Sequence, residues 1–192
     1  YSKGLICLTA CLQGEVNTLL KEQHLDEAEK VARQYGEFFG ENNFFIEMQD
    51  HGIAEQKIVN EGAREISRRT GFPCVITNDV HYLHRSHAEA HELMLAIQTG
   101  ATISSDKRMR YEGDQFYFKS REEMEAIFPN DIAALDITVD IAERCKATVE
   151  FDKKHFPIFD VPGKLSNKEY LLQLGYAGLQ QHYGIRDCLN PA

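Results

Sequence analysis

No apolar run in this 192-residue sequence approaches the roughly 20 residues a membrane-spanning helix requires. Leu93–Ile97 is among the longest. Nor does the chain open with a basic stretch followed by an apolar one, so no signal peptide is read, a cytoplasmic location is expected and no membrane is a partner. An excess of positive charge is also missing: 21 Lys and Arg stand against 30 Asp and Glu, a formal net charge of −9. Because affinity for nucleic acid rests largely on cations neutralising phosphates, little direct DNA binding is expected of this chain. The five cysteines, Cys7, Cys11, Cys74, Cys145 and Cys188, are scattered and form no CxxC pair. That argues against a disulfide framework and a zinc ribbon and leaves buried reduced thiols as the expectation. Phosphate-cradling loops (GxxxxGK[ST], GxGxxG) and the GxSxG elbow are absent, as is an Asp-x-Asp pair on a strand of the kind a two-metal polymerising centre uses for magnesium.

What is present is enough for one core and an appendage, with 43% hydrophobic and 27% charged residues. Leu5–Leu12 is a short apolar run closed by Gly14 and is predicted to be a buried strand. A short helix is predicted over Glu15–Glu22. A longer one follows His24, with Ala28, Val31, Ala32, Tyr35, Phe38 and Phe39 at helical spacing and Gly40 as its stop. Asn43–Met48 and Pro73–Ile76 read as strands on either side of a helix over Ala54–Arg69. Helices between strands imply parallel pairing, hence an α/β arrangement. Beyond Val80, helices are predicted over Ser86–Gln98, Glu122–Phe128, Asp131–Cys145 and Asn167–Tyr183, with a strand at Gln115–Lys119. The proline-bearing stretch Phe156–Gly163 marks a boundary, giving expected domains 1–155 and 156–192. Tyr1-Ser2-Lys3-Gly4 lacks an initiator methionine and Asn190-Pro191-Ala192 follows closely on a helix, so an internal piece of a longer protein is expected.

Ligands of parallel sheets sit beyond the carboxyl ends of the strands. Asp79 and His81 follow the strand Pro73–Ile76 and, two residues apart in extended chain, share one side. They suit a partial zinc, manganese or iron site, though from spacing alone a hydrogen-bonded pair in a turn is the commoner arrangement. Cys11 lies late in the first apolar run, as a thiolate ligand or as a small buried hydrophobe. His51, after the strand Asn43–Met48 with Glu47 and Asp50 nearby, is a site-associated candidate or a polar loop residue. Three successive strands thus place candidate ligands at the same end. His87 and His91 share a helical face and are read as solvated or packing residues, and the cluster Lys107, Arg108, Arg110 beside Tyr111 as a solvated loop or a small phosphate contact.

The order of segments carries a resemblance. Gly4–Glu15 (GLICLTACLQGE), Phe45–Gly52 (FIEMQDHG) and Thr77–Leu83 (TNDVHYL) resemble consecutive segments of the PHP domain of bacterial replicative DNA polymerase III alpha subunits. Ala88–Glu92, Ile97–Gly100, Phe116–Ser120 and Ile141–Cys145 are similar to later segments in the same order. The resemblance implies a partial distorted β/α barrel of the PHP type, comprising later strands only, followed by a mainly helical region and a lead-in to the polymerase core. It implies that Cys11, Asp79 and His81 are three ligands of a larger divalent-metal cluster (zinc or manganese) whose other ligands lie in earlier motifs, among them a His-x-His pair. It further implies a parent that polymerises DNA with magnesium at a site absent from this chain and that binds DNA and other replisome subunits. The metal cluster of such a parent is linked either to 3′–5′ exonuclease activity or to a structural role. Two other readings stand beside it: a free-standing PHP-type phosphoesterase, disfavoured by the long helical region after His81, and a non-catalytic interaction module.

Overall fold

The computed structural model describes residues 2–154 and 156–184; Tyr1 and residues 185–192, with Cys188 and the Asn190–Ala192 end, lie outside the described residues. The chain divides into two units, one running to Lys146 and one from Ala147. In the first, three strands form a parallel sheet in the order β1 (Cys7–Leu8), β2 (Phe44–Met48), β3 (Cys74–Ile76). Helices α1 (Glu15–Lys21) and α2 (Leu25–Phe39) link β1 to β2, and α3 (Ala54–Thr70) links β2 to β3. The α/β arrangement expected from the alternation of periods is therefore the one observed. Helices α4 (Ala88–Gln98), α5 (Arg121–Ile127) and α6 (Ile132–Arg144) follow, with α6 against β3.

β2 holds the centre. All five of its residues are buried, and Phe44, Ile46 and Met48 are fully so. A strand covered on both faces needs this near-continuous apolar character. The buried face of α2 is made of Ala28, Ala32 and Gly36, small residues that bring the helix close to its neighbours. Gly36 is required there, because a Cβ at that position would come within 2.1 Å of the Phe72 ring, which itself meets Phe44 edge-on at 5.2 Å. α3 buries Val59, Ala63 and Ile66 at helical spacing and stops at Gly71, whose φ of 82° is left-handed. The Arg64 guanidinium grips the Asp131 carboxylate at 2.7 Å and so ties α3 to the start of α6.

Two expected strands are corrected. The run Leu5–Leu12 gives a strand of two residues, because Ala10 turns into the left-handed region at φ 65° and ends the pairing. Cys11 therefore lies in the turn after β1, outside the strand. Gln115–Lys119 is no strand; it contributes a single parallel bridge, Tyr82 to Tyr117. Ser86–Gln98 splits into a 3-10 turn, Arg85–His87, and α4.

In the second unit α7 (Asn167–Tyr183) begins with a capping box in which the Ser166 hydroxyl accepts from the Glu169 N–H and the Glu169 carboxylate accepts from the Ser166 N–H. Phe159 stacks on Tyr170 at 5.9 Å. No described helix is long and apolar enough to cross a membrane.

Candidate functional site

Three strand exits converge. After β1 the chain passes Thr9 and the strained Ala10 to Cys11, then turns tightly, with the Gly14 N–H bonded to the Cys11 carbonyl at 2.8 Å. Gly14 is dictated by crowding: a Cβ there would meet the Thr9 carbonyl oxygen at 2.0 Å. After β2 come Gln49, Asp50, His51 and Gly52, and the Gly52 N–H is held by the Asp50 carboxylate at 2.8 Å. After β3 come Thr77, Asn78, Asp79 and His81, with Asp79 at φ 41°. Ala10, immediately before Cys11, and the candidate ligand Asp79 itself are non-glycine residues in the left-handed region and mark backbone held by its surroundings.

Cys11, His51 and Asp79 line one cleft of about 310 Å³, closed on its far side by Tyr111 and Phe116. His51 is buried, and burial pushes its pKa down. Its Nδ1 receives the Gln56 amide at 2.8 Å and its Nε2–H donates to the Asn78 carbonyl at 3.0 Å, while its ring stacks on Phe116 at 4.0 Å. With both nitrogens engaged, it joins the β2 exit to the β3 exit. His81 points the other way round: Nδ1–H donates to the Asp79 carbonyl at 2.6 Å, leaving Nε2 to accept the Tyr111 hydroxyl at 2.7 Å. Burial first, then the charges of Asp79 and Cys11, hold the Tyr111 phenol above its usual range, so it stays protonated and donates. His91 packs against this group, its ring centroid 5.5 Å from that of His81 and 5.3 Å from that of Tyr111.

Beneath the cleft lies a buried polar layer. The Glu47 carboxylate accepts the Ala10 N–H at 3.0 Å, the Thr77 hydroxyl at 2.5 Å and the Gln49 amide at 3.1 Å. Asn78 staples the β3 exit to the following segment, its amide donating to the carbonyls of Gln115 and Tyr117 and its oxygen accepting from the buried Lys119 ammonium at 3.1 Å. Of the basic cluster, Arg108 pairs with Glu92 and Arg110 reaches the cleft wall.

The donor chemistry of a thiol, a carboxylate and an imidazole suits zinc or manganese. Yet no group of three or more Cys, His, Asp or Glu side chains stands in ligating arrangement among the described residues. The His81 nitrogen that would face a metal is held by Tyr111. The residues present thus do not by themselves make a closed metal site. The sequence placed Thr77 and Asn78 in a motif, Tyr111 beside a basic cluster and Lys119 in an expected strand, and gave none of them a role in the site. The one available signal was Glu47, a carboxylate inside an otherwise apolar strand.

The PHP domain family model matches residues 1–51. The chain is 38% identical over 186 residues to DNA polymerase III subunit alpha of Treponema pallidum, covering 96% of this chain and 16% of that protein. It is 37% identical over 192 residues to that of Thermus aquaticus (97% and 16%) and 38% identical over 189 residues to that of Deinococcus radiodurans (95% and 14%). The motif resemblance thus extends across nearly the whole chain, and the chain spans 14–16% of the length of these relatives.

Proposed function

We propose that this chain is a segment of a bacterial DNA polymerase III alpha subunit, supplying the later part of its PHP domain and the lead-in to its polymerase core. The observation that carries the reading is sequence identity of about 37% sustained over nearly all of the chain. The whole protein is then a cytoplasmic DNA-directed DNA polymerase that works with magnesium on DNA, among other replisome subunits, while this segment scaffolds its metal-binding domain. The strands β1 to β3 are part of a distorted barrel whose remaining strands come from elsewhere in the protein. Cys11, Asp79 and His81 are ligands of a zinc or manganese cluster completed by residues outside this chain, with His51 beside it. Cys11, His51 and Asp79 share one cleft and His81 follows Asp79 at the exit of β3 without lining that cleft, and this placement at one end of the sheet supports the assignment. That cluster serves 3′–5′ exonuclease chemistry or stability.

Asp79→Ala or His81→Ala in the longer protein is expected to lower bound metal, measured by elemental analysis of the purified protein, together with any exonuclease activity. Unchanged stoichiometry in both variants removes the site assignment. The 192-residue chain alone is expected to incorporate no nucleotide on primed DNA with magnesium, since it lacks paired strand aspartates. Incorporation by a pure preparation overturns the assignment of the chain to a non-polymerising segment.

A further inference from the structure

We propose that Glu47 is a positioning residue: its buried carboxylate ties the turn that carries Cys11 to the loop that carries Asp79 and His81, fixing the two halves of the candidate centre against each other. This rests on the reading of those three residues as a site.

Glu47 lies on the central strand, so both neighbouring strand exits are within reach of its side chain. One carboxylate oxygen accepts the Ala10 N–H, on the residue immediately before Cys11. The other accepts the Thr77 hydroxyl, two residues before Asp79. Gln49 braces the same corner, donating to Glu47 and reaching Thr77 at 3.1 Å. The Glu47 N–H donates to the Thr9 hydroxyl at 2.8 Å, so backbone and side chain of one residue hold both sides of the β1 exit.

Packing does not ask for a carboxylate at this position. Phe45, two residues back and so on the same face of the strand, is apolar and buried, and a buried charge is costly unless its acceptors are filled. Its side-chain partners are neutral donors, and two of them, the Ala10 N–H and the Thr77 hydroxyl, sit on the two loops that carry the candidate ligands, with Gln49 on the β2 exit between them. Ala10 supplies an independent sign. Its left-handed backbone is strained for a residue with a Cβ, and it is clamped from both directions, its N–H by Glu47 and its carbonyl by the Asn17 amide at 2.7 Å. Asn17 also donates to the Cys11 carbonyl at 3.2 Å. Such over-determination of the residue before Cys11 is the signature of an orientation that is being held.

Glu47→Met keeps the side-chain length and removes both acceptor oxygens, so the links to Ala10 and to Thr77 are both lost. In the 192-residue chain, site-resolved thiol labelling by mass spectrometry reads Cys11, and amide exchange by NMR reads Ala10. Both rates are expected to rise about tenfold or more, the factor one charge-assisted hydrogen bond is worth. Labelling of Cys74, half-buried on β3 with its thiol pKa raised by burial, reports global unfolding and is expected to stay unchanged. Thr77→Val cuts only the link to the β3 exit and is expected to speed exchange of the Asn78–His81 amides, with Cys74 again silent. Unchanged rates at Cys11 and Ala10 in Glu47→Met, or rates at Cys11 and Cys74 rising together in both variants, overturn the proposal. No metal enters these measurements, so their failure is separate from failure of the ligand assignment, which metal content decides.

Discussion

Buried at the exit of β2, His51 spends both ring nitrogens on neighbours and none on solvent. Protonation would put a second hydrogen where the Gln56 amide already donates and would place a charge against Phe116. Burial accordingly holds its pKa below the ordinary histidine value, which the unfolded chain recovers. The sign of the linkage follows: the unfolded state takes up the proton first, so the contribution of His51 is complete above the unfolded value near pH 6.5 and is lost as the pH falls below it. Urea unfolding at about pH 7.5 and about pH 5.5 should show a larger loss of stability on acidification in the native sequence than in His51→Gln, which cannot take up the proton. His91, its pKa also lowered by burial and by His81, leaves a residual slope in the variant. Equal slopes in the two proteins would refute the neutral, internally bonded role of His51. At pH 7.5 the variant should itself lose about 1–2 kcal/mol, the scale of a lost buried hydrogen bond.

Among the elements, α2 and α3 depend on how closely helices approach the sheet. Gly36→Ala adds one methyl where the Phe72 ring already sits, so either the ring or the helix must shift. A loss of about 1–3 kcal/mol is expected despite the better helix propensity of alanine, measured as a lower urea midpoint; a neutral or stabilising result would mean that Phe72 moves freely. Elements of this kind were legible in the sequence. α2, α3 and α7 fall within about a residue of their predicted limits, because helical apolar spacing and the glycine stops Gly40 and Gly71 are local signals. The strands were less so. The apolar run Leu5–Leu12 outlasts β1 because Ala10 is turned by Glu47, 37 residues away. The alternation of Gln115–Lys119 does not become a strand because the Asn78 side chain takes the Gln115 and Tyr117 carbonyls that a neighbouring strand would have used. The placement of Cys11, His51 and Asp79 around one cleft could be anticipated from strand order, whereas Tyr111 on His81 and the Glu47 layer arise from long-range contacts that carry no local pattern.

For the molecule as a whole, the division after Lys146 has a kinetic consequence. Between α6, ending at Arg144, and α7, starting at Asn167, the described residues form no helix or strand. Lys146, Lys153 and Lys154 are exposed there, and a protease needs a locally extended, accessible segment. The arginines of α3 are different: Arg64, Arg68 and Arg69 lie in helix and are engaged with Asp131, Glu65, Asp26 and Glu29. Trypsin cleavage there requires opening of α3, which buries Val59, Ala63 and Ile66 in the core. Brief digestion should therefore cut at Lys146, Lys153 or Lys154 well before any site in α3, leaving a fragment from the first unit that retains the circular dichroism of a folded α/β domain. Mass spectrometry of the products over time gives the order of cleavage. If α3 is cut as early as Lys153, the first unit is not an independently stable core, and the parallel sheet needs chain beyond these residues to hold its fold.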